Sequence, residues 1–340
     1  MFLPLIEDVP RTKPQLAKGM KMNNQKKIAL FSPSISSFNL GDHIIYDSAR
    51  HHINSIIQDA YIVEISTHLP VSKYIKPLKD ADYKFVCGSN LLRGKMNSLF
   101  RQWDINIFSS RYIKQCILLG VGWWQYGDSP NFYTKMLYKK TLSLDVIHSV
   151  RDSFTESQLK QIGFNNVVNT GCPTMWGLTK AHCKDIPHAK AKNAVFTITD
   201  YNRNPKSDTQ MIEILSKNYE IVYFWPQGFY DYEYFTSINC INNNIIILPS
   251  TVRAYDKVLE QQDVDYVGTR LHAGIRALQK KKRTIIIAID NRANEKQKDF
   301  GLICLKREEL DLLSLRINSV FPTNILMPFQ KIDLWKSQFK

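Results

Sequence analysis

The chain has 340 residues, 44% of them apolar and 11% aromatic, with a formal net charge of +14. It exceeds the roughly 250–300 residues at which a single core tends to split, so one large domain or two ordinary ones are expected. The sequence shows no RNA-binding signature, zinc-finger spacing or basic heptad helix, and no window near the roughly 18 apolar residues of a membrane span. The charge therefore points to an anionic partner, a phosphorylated small molecule or an anionic membrane surface more than nucleic acid.

Cys87, Cys116, Cys172, Cys183, Cys240 and Cys304 are scattered, with no C-x-x-C pair, which fits free thiols in a reducing cytosol. The N-terminus, Met1 to Ile6, turns acidic too soon for a secretory signal. Residues 1–26 read as a polar arm.

Lys27 to Pro33 reads as a first buried strand, followed by a Ser-rich loop, Asn39-Leu40-Gly41-Asp42 and a helix from His43 to about Ile57. Strands are predicted at Tyr61–Ile65, Tyr83–Cys87 and Gln115–Gly122, and a helix over 131–142. A short strand at 146–150, a helix at Thr155–Ile162 and a strand at 166–170 complete this half. The second half repeats the alternation. Strands are predicted at 193–199, 219–225, 245–248, 265–267 and 284–289, and helices at 208–217, 255–262 and 273–279. A terminal helix spans 329–340. Strands alternating with helices predict an α/β chain of two Rossmann-like domains with parallel sheets and a cleft between them.

In such sheets ligands bind beyond the carboxyl ends of the strands. The chemically interesting residues sit there: Asn39 and Asp42, Gly88 to Asn90, Gly120 and Gly122, Arg151 and Asp152, and the run Gly268-Thr269-Arg270-Leu271-His272. A cation and an imidazole at a strand-to-helix turn suit a small anion, because the first helical amides have unpaired N–H groups and a partial positive charge. A surface arginine and a histidine cap are the plainer alternative. Asp42 reads either as a helix cap or as a general base. Trp123, Trp124 and Tyr126 read either as a sugar-stacking platform or as core and interdomain contacts. Asp152 and Ser153 read as caps. His43, His51, His52, His68, His148, His182 and His188 lack metal-ligand spacing. Lys280 to Arg283 reads as a solvated helix end or a contact for an anionic surface.

Taken in order, several motifs resemble the polysaccharide pyruvyl transferase family over roughly residues 28–302. They are N-x-G-D at Asn39–Asp42, the strand ends at Gly88 and Gly120–Gly122, S-V-R-D-S from Ser149, T-G-C-P from Thr170, and G-T-R-L-H-A-G-I from Gly268. Many relatives carry a run of glycines where this chain has Gly88-Ser89-Asn90. The resemblance implies a GT-B-like fold. It also implies transfer of an enolpyruvyl unit from phosphoenolpyruvate to a sugar of a cell-surface polysaccharide, or to its lipid-linked precursor. The product is a pyruvate ketal, and phosphate is released. On that reading residues 27–178 form the acceptor domain, 179–325 the donor domain and 326–340 the terminal helix.

The resemblance associates Arg151, Arg270, Leu271 and His272 with phosphoenolpyruvate. The chemistry agrees, since two arginines can grip a phosphate and a carboxylate through paired N–H donors. His272 would be the proton donor and Asp42 the base or acceptor-orienting group, with Arg270 between binding and catalysis. Gly88 and Asn90, or the chain near Gly122, would supply amides for the phosphate, and Asn39, Asp42, Trp123 and Trp124 would meet the acceptor. No metal or cofactor is expected beyond the donor itself. The expected location is cytoplasmic, with peripheral contact at the inner face of the cell membrane. The rival reading is a nucleotide-sugar-dependent glycosyltransferase, for which Asp200 and Asp290 would be the ribose-binding acids.

Overall fold

The computed structural model describes residues 25–72, 77–127, 129–240 and 242–340. The expected N-terminal arm lies outside them, save its last two residues. The first half holds β1 (Lys27–Ser32), α1 (Leu40–Ile56), β2 (Tyr61–Ser66), α2 (Pro77–Asp80), β3 (Tyr83–Cys87), β4 (Cys116–Leu119), α3 (Phe132–Thr141), β5 (His148–Val150), α4 (Ser153–Ile162) and β6 (Val167–Asn169). The second half holds α5 (Lys180–Lys184), β7 (Asn193–Thr197), α6 (Pro205–Asn218), β8 (Val222–Phe224), α7 (Asp231–Ile238), β9 (Ile245–Ile247), α8 (Val252–Leu259), β10 (Val264–Gly268), α9 (Leu271–Gln279), β11 (Thr284–Ala288), α10 (Asn291–Phe300), β12 (Cys304–Lys306), α11 (Leu313–Asn318) and α12 (Phe329–Ser337).

The first sheet runs β2-β1-β3-β4, all parallel. The parallel pair β5-β6 extends it, because the Gly120 N–H donates to the Ser149 carbonyl at 3.0 Å and Val121 bridges Val150. The second sheet runs β12-β11-β10-β7-β8-β9. Counted from β7, that is the 3-2-1-4-5-6 order of a dinucleotide-binding sheet. The central strands are buried apolar runs, as parallel strands covered on both faces must be: ALF in β1, FVC in β3 and YV in β10 lie in the core. Two Rossmann-like sheets thus stand side by side.

Strand order decides where ligands can go. A crevice opens where neighbouring strands send their chains in opposite directions. In the first sheet that point lies between β1 and β3, in the second between β7 and β10. The loops after those four strands carry Ser34–Asn39, Gly88–Asn90, Thr199–Asn202 and Thr269–Arg270. Residues from each of these loops line one interdomain cleft.

A core of buried apolar side chains runs between the sheets and joins Ile44, Ala49 and Ile53 of α1 to Ile275 and Leu278 of α9. The last helix crosses back to the first half. Trp335 is fully buried against Phe85 and Trp176, and Gln338 exchanges hydrogen bonds with both backbone groups of Ile147, at 2.8 and 3.0 Å. The helices α7 and α10 and the short strand β12 were not expected from the sequence, and the two helices supply site residues.

Candidate active site

The cleft has a volume of about 710 Å³ and is lined from both halves. Asn39, Asp42, Asn90, Trp124 and Arg151 reach it from the first, and Arg270 and His272 from the second. Seven of the ten residues singled out from the sequence therefore converge. The other three do not. Trp123 is a core residue, 2% exposed and edge-on to Tyr138, because its chain position alternates inward. Leu271 opens α9 but packs into the interdomain core. The Gly88 N–H already donates to the Leu119 carbonyl at 2.8 Å, so it has no hydrogen to give a phosphate.

Asn39 caps α1. Its side-chain oxygen accepts from the Gly41 N–H at 3.1 Å and from Gln227 Nε2 of the second half at 2.9 Å. That leaves Asp42 free of capping duty. Its carboxylate accepts from Ser37 Oγ (2.8 Å), Ser89 Oγ (3.1 Å) and Asn39 Nδ2 (3.3 Å). Burial pushes its pKa up, against the pull of those hydroxyl donors. A carboxylate oriented by three donors, its pKa raised by burial, suits a general base. Asn90 offers the cleft a buried side-chain oxygen that has no partner among the described residues.

Arg270 is less open than expected. Nε donates to Asp231 Oδ2 (3.0 Å) and the Ile198 carbonyl (3.2 Å), and Nη2 bonds both Asp231 and Asp200, the latter at 2.8 Å. Only Nη1 lacks a bond among the described residues. The guanidinium lies over the Tyr201 ring, 5.0 Å from its centroid. Burial opposes its charge, but the two aspartates more than restore it. Arg270 thus ties the ends of β7 and β10 to the start of α7. Gly228 makes room for it, since a Cβ there would overlap Nη2.

Arg151 is 2% exposed and more lightly held. Nε donates to Asp152 Oδ2 at 3.1 Å, and Nη2 reaches the Trp123 carbonyl at 3.4 Å. Gly122 is its counterpart to Gly228, because a Cβ at Gly122 would fall inside the guanidinium. Asp152 caps α4 as expected, accepting from the Thr155 N–H at 2.8 Å and the Thr155 hydroxyl at 2.6 Å. Burial would raise its pKa, but Arg151, Lys296 and these bonds hold it below the usual carboxylate range.

His272 sits in the first turn of α9, 6% exposed, with Nε2 3.8 Å from Cys172 Sγ. Cys172 in turn accepts from Thr174 Oγ1 at 3.0 Å. Burial, then Arg292, Arg151 and Lys296, drive the His272 pKa well below the ordinary imidazole value, with Asp290 opposing. In the free protein the ring is neutral. The expectation of an imidazolium ready to donate holds only when an anion offsets those cations.

Arg292 and Lys296 were missed, and both come from α10. Asp290 caps that helix and grips Arg292, whose Nε lies 3.0 Å from each carboxylate oxygen. Lys296 is buried, and its Nζ donates to the Arg151 carbonyl at 2.6 Å across the domain boundary. Burial lowers its pKa to about 8. Further along α10, Asp299 accepts from the Ser153 N–H (2.6 Å), Ser153 Oγ (2.7 Å) and Asn169 Nδ2 (2.9 Å), so one half caps a helix of the other.

A family model described as polysaccharide pyruvyl transferase matches residues 39–291, which span the site residues discussed except Ser37, Arg292, Lys296 and Asp299. The chain belongs to the polysaccharide pyruvyl transferase family. No curated protein matches it. Among solved structures, a UDP-GlcNAc 2-epimerase from Methanocaldococcus jannaschii in complex with UDP-GlcNAc and UDP aligns at 10% identity over 92% of this chain and 99% of that one, with a TM-score of 0.50. The MnaA–UDP structure from S. aureus aligns at 9% identity over 86% and 90%, with a TM-score of 0.49. The E. coli heptosyltransferase WaaC with ADP aligns at 11% over 93% and 100%, with a TM-score of 0.41. The first of these likenesses speaks to fold alone.

In this fold the strand-end rule that located Arg151 and Arg270 also locates Arg292. It follows β11 as Ala288-Ile289-Asp290-Asn291-Arg292, an apolar strand, a capping Asp and a cation. Gln227-Gly228 follows β8 in the same way. His68 lines the cleft, with Nδ1 3.1 Å from the Gln102 carbonyl and Nε2 3.0 Å from the Pro33 carbonyl. His148 is fully buried, its Nδ1 accepting from the Leu118 N–H at 3.1 Å. His52 packs on Trp176 away from the cleft.

Proposed function

We propose that the cleft binds phosphoenolpyruvate and transfers its enolpyruvyl unit to two hydroxyls of a sugar, releasing phosphate. The supporting observation is the convergence on His272 of three cations, Arg151, Arg292 and Lys296, of which Arg151 is paired with Asp152 and Arg292 with Asp290. Phosphoenolpyruvate brings a phosphate and a carboxylate on adjacent carbon centres, and a cationic corner beside two helix N-termini suits both. Arg151 is the main clamp, being the arginine least committed to carboxylates. Arg292 adds charge, and Arg270 positions the turn that carries His272.

Donor binding offsets the cations and lets His272 take up a proton. His272 then delivers that proton to the methylene carbon, which becomes the methyl group, and C2 acquires oxocarbenium character. A sugar hydroxyl adds to C2 while Asp42 accepts its proton. The C2–phosphate oxygen bond then breaks. The second hydroxyl adds to C2, its proton leaves on phosphate, and the proton held by Asp42 returns to the imidazole. The sugar would lie toward Trp124 and Asn90, with Asn39 acting through Asp42. A nucleotide-sugar donor fits less well, because Asp200 and Asp290 are both held by arginines and are not open to ribose hydroxyls.

Phosphate release from phosphoenolpyruvate, measured with a panel of synthetic and lipid-linked glycans, tests this. Acceptor-dependent release with loss in Arg151→Ala is expected. Turnover of UDP-sugars instead would overturn it.

A further inference from the structure

The net charge of the chain is unevenly spread. Between residues 93 and 140 the sequence carries eight Lys or Arg against Asp104 and Asp128. Asp104 is already paired with Arg101 at 2.7 Å. The same stretch exposes large apolar side chains. Leu99 is fully exposed, Phe132 is 82% exposed and Phe108 is 70% exposed. Single exposed apolar residues are ordinary, but three on one face among cations are not.

Hydrogen bonds place them together. The Asn131 N–H donates to the Gly94 carbonyl at 3.1 Å, and Asn131 Nδ2 donates to Asn97 Oδ1 at 2.8 Å, which brings the start of α3 beside the loop carrying Leu99. Two residues on from Asn131, Tyr133 Oη accepts from the Ile107 N–H at 3.1 Å, next to Phe108. Phe108 then shares a surface depression of about 340 Å³ with Arg111, Lys114 and Lys140. On α3 itself Lys135 and Lys139 follow Phe132 at helical spacing and are exposed.

We infer that this face, formed by residues 93–115 and the outer side of α3, docks the protein on an anionic lipid bilayer. The apolar tips enter the interface while the long cationic side chains stay at headgroup level, the pairing that distinguishes lipid surfaces from soluble anions. No helix among the described residues is long and apolar enough to cross a membrane, so this contact is peripheral. In the other basic run, Lys280 to Arg283, two lysines are paired, and Lys282 and Arg283 are buried. Lys280 faces Glu260 at 3.4 Å, Lys281 faces Asp185 at 2.7 Å, and Arg283 is buried on Asp265 at 2.7 Å. The docking face adjoins the cleft mouth, since Arg93 donates to the Phe100 carbonyl and lies over the Trp124 ring, and both aromatic residues line the cleft. An acceptor held by a lipid would thus enter from the membrane side.

The test is co-sedimentation of the full chain with vesicles of phosphatidylcholine alone and of phosphatidylcholine mixed equally with phosphatidylglycerol. Binding only to the mixed vesicles, weakened by salt, is expected. Lys114→Glu with Lys140→Glu should lower the partition coefficient by about tenfold or more, since each cation near the surface contributes on the order of 1 kcal/mol. Leu99→Ser with Phe108→Ser should lower it as well, with melting temperature kept. Equal binding to both vesicle types, no binding to either, or unchanged binding by both variants overturns the inference. Phosphate release from phosphoenolpyruvate with a soluble acceptor should be the same in these variants, so a failure here is separate from a failure of the proposed reaction.

Discussion

Two glycines set the positions of two arginines. Gly122 and Gly228 leave the space that Arg151 and Arg270 occupy, and a methyl group at either would displace a guanidinium rather than a flexible tip. Gly122→Ala is expected to keep the fold, at about 1–3 kcal/mol from overpacking, and to weaken phosphoenolpyruvate binding by about tenfold or more, roughly the worth of one charge-assisted hydrogen bond. Calorimetric titration reads this. Unchanged affinity would show that Arg151 does not touch the donor. His272 gives a second prediction at this scale. Burial and three cations hold it neutral in the free protein. A bound trianion reverses that balance, so binding near pH 7 should take up protons. Titration in buffers of different ionisation enthalpy should show smaller uptake in His272→Gln than in the parent. Equal uptake in both would remove His272 from the proton path.

The element that decides the site is α10, whose two ends do different things. Its first turn places Arg292 in the cleft, and its later turns hold the first half through Lys296, Glu295 and Asp299. Lys296 is the costly member. Its folded pKa is about 8, against 10.5 for an ordinary lysine. Between those values the unfolded chain holds the extra proton, so stability rises with pH across that window. The penalty of burying the charge, about 3 kcal/mol from the size of the shift, is fully present below pH 8. Denaturant unfolding should therefore show a rising midpoint from pH 8 to pH 10.5, and Lys296→Met should flatten it. The same slope in both proteins would mean another group titrates there. The placement of α10 also explains why it escaped the sequence reading. Asn291-Arg292-Ala293-Asn294-Glu295-Lys296 lacks an apolar stripe, because its inward side chains bond the other half through charge. Helix α7 also escaped, its short run hiding the buried Tyr234 and Phe235, and Asp231, the chief partner of Arg270, went unseen with it.

At the scale of the whole molecule, the parts governed by local pattern were legible. Apolar runs ending in Gly, Asn or Arg marked the strands, and the rule that ligands gather at strand ends brought Asn39, Asp42, Asn90, Arg151, Arg270 and His272 to one cleft. Direction was harder to read than position. Trp123 and Trp124 are neighbours, yet one enters the core and the other the cleft, because alternation along an extended chain separates them. Pairing was hidden too, since nothing local shows that Asp231 and Asp200 would engage Arg270. The two halves act as one body around the cleft, joined by a shared core, by α12 returning to the first sheet and by the Asp299 cap on α4. On the proposed reaction, this cleft receives phosphoenolpyruvate at Arg151. Thermal unfolding of the full chain with added donor tests it most directly. A ligand at a hundred times its dissociation constant contributes about 2.7 kcal/mol, which a protein of this size shows as a clear rise in melting temperature. Phosphoenolpyruvate should produce that rise in the parent and not in Arg151→Ala, and UDP-sugars should leave both unchanged. A rise with UDP-sugars and none with phosphoenolpyruvate, or an undiminished rise in Arg151→Ala, would contradict the account.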